Sequence, residues 1–306
     1  MFKYLWGEIL KGVLRNKCAN TLLLFICLFS ITPLFASDPT LTQTKPIRIG
    51  ITSVILDQKQ QFLETWKAYF EARLNQPVEF VQRDSYGKIT SHLLKGELDF
   101  GWICGYPYVQ HQSLLNLVAT PLFKGKPLYQ SYLIVAKTDT ETHSINDLKN
   151  TVFAYSDPDS NSGYLYAQYS LRKNDINPES FFSQTFFTWQ HENTVEAVAV
   201  GLAKAGQIDS YIWESMKQQN NPFIKKTRIA HKSEPFGFPP LVATKTISPQ
   251  LQKSIQHILL SMRNNAQGRR LLEQLNIDGF KITNKELYDD ILKMHLFIEK
   301  QKHAAS

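Results

Sequence analysis

Hydrophobic and polar positions alternate along this chain with two periods, one of two residues and one close to 3.6. Ile47, Ile49 and Ile51 alternate with polar or small residues, which is typical of a short strand. The next stretch repeats apolar residues at helical spacing until Asn75 and Pro77 end it. The pattern predicts, in order, a strand over 47–51, a helix over 59–74, a strand over 78–81, a helix over 86–95 and a strand over 98–103. This order predicts an α/β protein whose mostly parallel sheets are flanked by helices.

The C-terminal part of the chain has a helical period throughout. Apolar residues recur at helical spacing over 250–263, 268–276 and 285–299, so three helices are expected there. Residues 301–306 are mostly polar or small and are expected to form a tail.

Length and composition limit the class of protein. The 306 residues are 43% hydrophobic and 20% charged and include three cysteines, which excludes a disordered chain, a collagen-like fibre and a disulfide-rich miniprotein. The length favours two structural units over one. The net charge of +7 would suggest a nucleic acid or a membrane surface as partner, so the position of the charges matters.

The first 36 residues have the layout of a secretory signal, with four basic residues before an apolar run and Glu8 as the single acid. We expect a cleaved signal peptide over 1–36 and a polar linker over 37–45. An uncleaved anchor is the alternative, because Leu34 is larger than the small residue usually found at this position before a cut after Ala36. Cleavage leaves a net charge of +4 and no long basic run, so the sequence does not favour nucleic-acid binding.

The cleaved chain would keep Cys104 as its only cysteine and could form no internal disulfide. Cys104 stands in an apolar segment, which favours a buried thiol that packs as a small hydrophobic side chain. A reactive or metalloid-binding thiol is the alternative.

One loop has the composition of an anion site. It covers residues 157–163 after a predicted strand over 151–154, and the next residues suit a helix. Ser160, Asn161 and Ser162 would place hydroxyl, amide and backbone N–H donors at the start of that helix, and Gly163 would allow close approach of the backbone. Ordinary helix capping by the same residues remains an alternative.

Seven short segments of the chain also follow one another in a characteristic order. They are residues 84–86, 96–102, 129–135, 157–165, 191–192, 268–269 and 278–280. In this order they resemble the phosphate, phosphite and phosphonate substrate-binding proteins of ABC transporters, which belong to the periplasmic binding proteins. The resemblance covers about residues 46–295.

The resemblance implies a two-lobed periplasmic-binding-protein fold of type II, with the ligand held between α/β lobes that two chain crossings join. The apolar runs 128–137 and 238–245 are the candidate crossings. Lobe 1 would combine residues 46–133 with 240–300, and lobe 2 would cover 134–239. The C-terminal helices are expected to pack on lobe 1, and closure would be a hinge motion.

The resemblance also implies which residues contact the ligand, and it requires no cofactor, metal or catalytic residue. The ligand-binding residues that it implies are Tyr86, Tyr129, Ser160, Asn161, Ser162 and His191. Asn161 stands where the family commonly has Thr or Ser, which changes reach while preserving a hydrogen-bond donor. Asp209 is added as an acceptor that could take a proton from a monoprotonated anion, with helix capping as the alternative role.

The expected function is capture of a phosphate, phosphite or small alkylphosphonate in the periplasm by a monomer that serves an ABC permease in the inner membrane. The resemblance implies an acid in members that bind aminoalkylphosphonates at a place where this chain has proline, within residues 237–240, so amine-bearing phosphonates are expected to bind poorly. A receptor that signals to a membrane sensor and binding of a metalloid oxyanion at Cys104 are alternatives. An enzyme that uses His191 as a base is less favoured, because no motif for a nucleophile or metal accompanies it.

Overall fold

The computed structural model describes residues 45–52 and 60–305. The signal peptide, the linker up to residue 44 and the predicted helix start at residue 59 lie outside the described residues. The described strands are β1 (Ile47–Ile51), β2 (Val78–Gln82), β3 (Phe100–Trp102), β4 (Leu115–Leu122), β5 (Leu128–Tyr129), β6 (Ser131–Ala136), β7 (Val152–Tyr155), β8 (Gln184–Phe187), β9 (Ala205–Asp209), β10 (Thr227–Lys232), β11 (Phe236–Gly237), β12 (Leu241–Thr244) and β13 (Gly279–Lys281).

Helices alternate with these strands. The described α-helices are α1 (Gln60–Leu74), α2 (Tyr86–Leu94), α3 (Gly105–His111), α4 (Tyr166–Lys173), α5 (Pro178–Phe181), α6 (His191–Ala199), α7 (Ser210–Gln218), α8 (Pro249–Ser261), α9 (Ala266–Gln274) and α10 (Asp289–Ala305). A π-helical turn, Asn161–Leu165, precedes α4. The elements that the hydrophobic pattern predicts are confirmed to within a few residues, because each follows from a local alternation of buried and exposed positions.

Two open sheets organise the described residues. The first is six-stranded in the order β13-β4-β12-β3-β1-β2, and the second is five-stranded in the order β10-β6-β9-β7-β8. The first three strands of the chain pair in parallel, as do β7, β8 and β9. The strands that complete each sheet, among them β12 and β6, run antiparallel to their neighbours. Each sheet is therefore mixed, and the α/β fold class is confirmed.

The chain passes between the sheets at two places that pair with each other. It leaves the first sheet through β5 and returns through β11, and these two short strands form an antiparallel ladder in which Phe236 pairs with Tyr129. Ser131 already pairs with Asp209 in the second sheet, so the predicted lobe limit at 133–134 falls inside β6. Because two crossings lie side by side, they form one compact joint between the sheets.

The cores of both sheets depend on close approach of helices. In the first sheet, a Cβ on Gly101 would lie 2.6 Å from Leu93 Cδ1, so this glycine lets α2 pack directly on β3. In the second sheet, Phe153 is fully buried and stacks on Phe182 with 4.5 Å between ring centroids. Because protein cores are close-packed, these contacts hold β3 and β7 in fixed positions relative to the elements that pack on them.

The last helix, which the sequence predicts to pack on lobe 1, contacts helices beside both sheets. Helix α10 contacts α3 beside the first sheet and also α4 beside the second, where Phe297 packs against Tyr169 with ring centroids 5.3 Å apart. It also extends through Ala305, past the predicted start of the tail at 301. Along the described part of the chain, no helix combines the length and apolarity needed to cross a membrane.

Replacing Phe153 with Ala should lower the free energy of unfolding by about 3–5 kcal/mol, because it removes a stacked ring and leaves a cavity. The measurement is urea unfolding followed by circular dichroism. Leu202→Ala is the control, since Leu202 is 63% exposed, and should change the value by less than about 0.5 kcal/mol. Equal effects of the two substitutions would contradict this account of the core.

Candidate ligand-binding site

Five polar side chains stand where a strand gives way to a helix. Tyr86 is the first residue of α2 and His191 the first of α6, while Cys104 and Asp209 directly precede α3 and α7. Asn161 begins the π-helical turn after β7. In open α/β sheets the carboxyl ends of the strands face the ligand cleft, and helix N-termini there offer free N–H groups to anions.

The structure brings residues of the two sheets together at this place. The backbone N–H of Tyr86 donates to Asp157 Oδ2 at 3.2 Å. The backbone N–H of Asn161 donates to Cys104 Sγ at 3.3 Å, and its Nδ2 donates to the Tyr129 hydroxyl at 2.9 Å. These hydrogen bonds join segments that are 32 to 71 residues apart.

The loop 157–163 contains both a helix cap and candidate ligand contacts, the two roles that the sequence left open. Ser160 is a helix cap, because its Oγ accepts from the Gly163 N–H at 2.9 Å. By contrast, Asn161 Oδ1 and Ser162 Oγ are buried and have no hydrogen-bond partner among the described residues. The same is true of Ser156 Oγ, which sequence reasoning missed. Its position one residue after β7, at the carboxyl end of a parallel strand, could have indicated that Ser156 belongs to the site. An unpaired buried polar atom is costly, so these atoms are candidates for ligand contact.

Gly163 is what allows this loop to lie so close to the second sheet. A Cβ built on Gly163 would lie 1.7 Å from Ser156 Oγ and 3.1 Å from His191 Cε1. The loop, Ser156 and His191 are therefore in direct contact, and a side chain at position 163 would force them apart.

The hydrogen bond that His191 accepts fixes its tautomer. Its Nδ1 lies 3.1 Å from the backbone nitrogen of Asp209, which can only donate, so Nδ1 accepts and the hydrogen resides on Nε2. Burial lowers the pKa of His191 to about 3, which keeps the ring neutral near neutral pH. His191 thus presents one N–H donor and no charge.

Asp209 is both a helix cap and a buried acid. Its Oδ1 accepts from the Tyr211 N–H at 2.7 Å at the start of α7, as the capping alternative predicts. Burial raises the pKa of Asp209 to about 8, since few groups compensate the charged form. Its charge in turn contributes to the raised pKa of Tyr86 and of Tyr129, for which burial is the main cause. The carboxyl group therefore lies within electrostatic reach of both phenols.

Cys104 is buried as predicted, and it also contacts the loop 157–163. Burial raises the pKa of its thiol to about 11, so the thiol stays protonated near neutral pH. Its sulfur accepts a hydrogen bond from the backbone N–H of Asn161, so Cys104 helps to position the loop 157–163, which is distant from it in sequence.

The buried polar side chains of the described residues include no lysine and no arginine. An anion in this cleft would be held by neutral donors, namely phenols, hydroxyls, an imidazole N–H and backbone N–H groups at helix starts. Such donors bind a small oxyanion without a neutralising counter-charge.

The fold and the site define a two-lobed periplasmic binding protein of type II. A solved binding-protein component of a phosphonate ABC transporter from Pseudomonas aeruginosa shares the fold, with a TM-score of 0.76 and 21% identity over 86% of this chain and 89% of that one. The family model "ABC transporter, phosphonate, periplasmic substrate-binding protein" matches residues 49–288. The chain belongs to this family of periplasmic substrate-binding proteins.

Two curated relatives are similar over a shorter range. A probable ABC transporter phosphite binding protein of Prochlorococcus marinus is 26% identical over 199 residues, which is 61% of this chain and 65% of the relative. A phosphate-import protein of Mycolicibacterium smegmatis is 23% identical over 194 residues, which is 59% of this chain and 60% of the relative. The matched region thus spans less than two thirds of the length of either relative.

Replacing Gly163 with Ala should lower the free energy of unfolding by about 1–3 kcal/mol, because the new methyl group would overlap Ser156. Ser156→Gly should relieve this cost, so the Gly163→Ala effect should shrink in the Ser156→Gly background. Urea unfolding of the four proteins in this double-mutant cycle measures the coupling. An equal cost in both backgrounds would show that the two residues do not compete for space.

Asp209→Asn should change how stability depends on pH. The unfolded carboxyl ionises near its ordinary pKa of 3.8, whereas the folded one keeps its proton up to a pKa of about 8. The wild-type protein should therefore lose stability relative to the variant as pH rises from about 4 to about 8. His191 shifts stability in the opposite direction in both proteins, and its effect cancels in the difference. Urea unfolding of both proteins across this range is the measurement, and a constant difference would refute the buried, protonated carboxyl.

Proposed function

We propose that this protein captures a small phosphorus oxyanion, namely phosphate, phosphite or a small alkylphosphonate, and delivers it to the permease of an ABC transporter in the inner membrane. The observation that carries this proposal is the buried cluster of uncharged donors at the point where both sheets meet. Family membership supports a periplasmic location, and the relatives named above are described as binding phosphite or importing phosphate.

The ligand contacts would come from both sides of the cleft. Tyr86 and Cys104 belong to the first sheet's helices, whereas Asn161, Ser162 and His191 follow strands of the second sheet. A ligand that contacts both groups favours the closed arrangement over an open one, because its contacts to the second sheet exist only when the lobes are together.

The surroundings of the cleft argue against ligands that carry an ammonium group. The segment 237–240 supplies backbone atoms to the fold instead of a carboxylate, since the carbonyl of Pro239 accepts from Trp102 Nε1 at 2.9 Å. Glu214 is engaged with Lys124, whose Nζ lies 3.2 Å from Oε2. Tyr211, two residues after Asp209, carries no carboxylate and donates its hydroxyl to the Leu275 carbonyl. Two buried acids lie at the donor cluster: burial favours the neutral form of Asp209, and Asp157 already accepts from the backbone N–H groups of Tyr86 and Asp159.

The cluster supports binding better than catalysis. His191 is neutral, and the low pKa that burial gives it makes it a weak general base near neutral pH. The protonated Cys104 thiol is likewise a weak nucleophile. The family is one of substrate-binding proteins, which agrees with a site built to hold a ligand unchanged.

Calorimetry of the purified protein with phosphate, phosphite, methylphosphonate, sulfate, arsenite and 2-aminoethylphosphonate tests the proposed ligand class. We expect at least one of the first three to bind and 2-aminoethylphosphonate to bind much more weakly, because its ammonium would be buried without a partner. Comparable affinity for 2-aminoethylphosphonate would refute the argument about the amine. Binding of arsenite alone would replace the proposal with the metalloid alternative, and alkylation of Cys104 should then abolish it.

Tyr86→Phe should weaken binding of the phosphorus oxyanion about tenfold, because the phenol is proposed to donate one hydrogen bond to it. Tyr169→Phe is the matched control, since Tyr169 packs against Phe297 away from the cluster and should leave affinity unchanged. Circular dichroism would establish that both variants are folded. Unchanged affinity in Tyr86→Phe would remove this residue from the site.

A further inference from the structure

The side chain of Asn161 is held in one orientation among the buried polar residues where the two sheets meet. Asn161 is fully buried, and its Nδ2 donates to the Tyr129 hydroxyl at 2.9 Å. Its backbone N–H is held by Cys104 Sγ at 3.3 Å. With the backbone and the amide nitrogen both engaged, the side chain has little freedom to turn.

This orientation makes the other end of the amide an acceptor. Asn161 Oδ1 is buried and has no hydrogen-bond partner among the described residues. An amide oxygen can only accept, whereas the hydroxyl of a Thr or Ser can donate or accept. The residue at position 161 therefore turns one contact of the loop from a potential donor into an acceptor.

A buried acceptor distinguishes oxyanions by the protons that they carry. Beside a hydroxyl group of the ligand, Oδ1 gains a hydrogen bond. Beside a bare oxyanion oxygen, the two acceptors repel each other and Oδ1 stays unpaired, which is costly in a buried site. Asp209 lies in the same cluster, within electrostatic reach of Tyr129 and Tyr86, but burial favours its neutral form, so Asn161 Oδ1 is the acceptor on which the distinction depends.

We propose that Asn161 makes this site selective for a phosphorus oxyanion that carries a hydroxyl hydrogen, such as the monoprotonated phosphate dianion. Oxyanions of the same charge without a hydroxyl, namely sulfate and the phosphite dianion, are disfavoured. This inference rests on the proposed function, because it assumes that a small phosphorus oxyanion occupies the cleft.

Phosphate and sulfate form a matched pair at mildly alkaline pH, since both are then tetrahedral dianions and phosphate alone carries a hydroxyl. We expect the wild-type protein to bind phosphate more tightly than sulfate and more tightly than phosphite in calorimetric titrations. Asn161→Thr, which restores a hydroxyl at this position, should reduce the affinity ratio of phosphate to sulfate and of phosphate to phosphite by about tenfold. Asn174→Thr is the control, because Asn174 is exposed at the end of α4 and bonds the Ser170 carbonyl.

The outcomes separate this inference from the function on which it rests. If the wild-type protein binds no phosphorus oxyanion, the proposed function fails. If it binds phosphite or sulfate as tightly as phosphate, the function of binding an oxyanion stands and the role of Asn161 is wrong. Tighter binding of sulfate and phosphite would mean that the amide presents Nδ2 to the ligand. The wild-type ratios decide the matter even if Asn161→Thr does not fold, and unchanged ratios in a folded Asn161→Thr would also overturn the inference.

Discussion

The proposed site depends on one constraint, which is that a small anion would have to be held by buried groups that include no lysine or arginine among the described residues. Neutral donors bind an anion well only when several of them converge and water is excluded, since each hydrogen bond contributes modestly. Convergence therefore has to come from the fold. Two sheets direct the carboxyl ends of their strands, and the N-termini of the following helices, toward one place.

The same constraint explains why the loop 157–163 and its surroundings are so tightly packed. Gly163 permits direct contact with Ser156 and His191, and the Asn161 backbone rests against Cys104 of the other sheet. Polar atoms that remain unpaired in such surroundings cost stability, and a ligand that pairs with them recovers that cost. In the proposed function, the same packing would therefore affect both the stability of the closed form and the affinity for the ligand. The short ladder between β5 and β11 is the joint across which the two sheets meet.

Burial also sets the charges of the site, and it does so in opposite directions for two neighbours. The backbone N–H of Asp209 fixes the tautomer of His191, and burial favours the neutral form of both side chains. Their effects on stability oppose each other as pH changes, because one group is a base and the other an acid. Near neutral pH these two side chains therefore add little charge to the site. The role proposed for Asn161 also adds no charge, since an amide changes only the pattern of hydrogen-bond donors and acceptors.

The sequence alone determined which segments form strands and helices, and it singled out the loop 157–163, because burial patterns and helix starts are encoded within a few neighbouring residues. It also indicated that Ser160 and Asp209 could act as caps, which depends only on the residues that follow them. It did not indicate that Cys104 meets Asn161, that Ser156 is left unpaired, or that α10 contacts both sides of the molecule. Those features join segments far apart in the chain, and local patterns record that a residue is buried but not which distant residue buries it. The tertiary structure alone decided which polar atoms remain for a ligand.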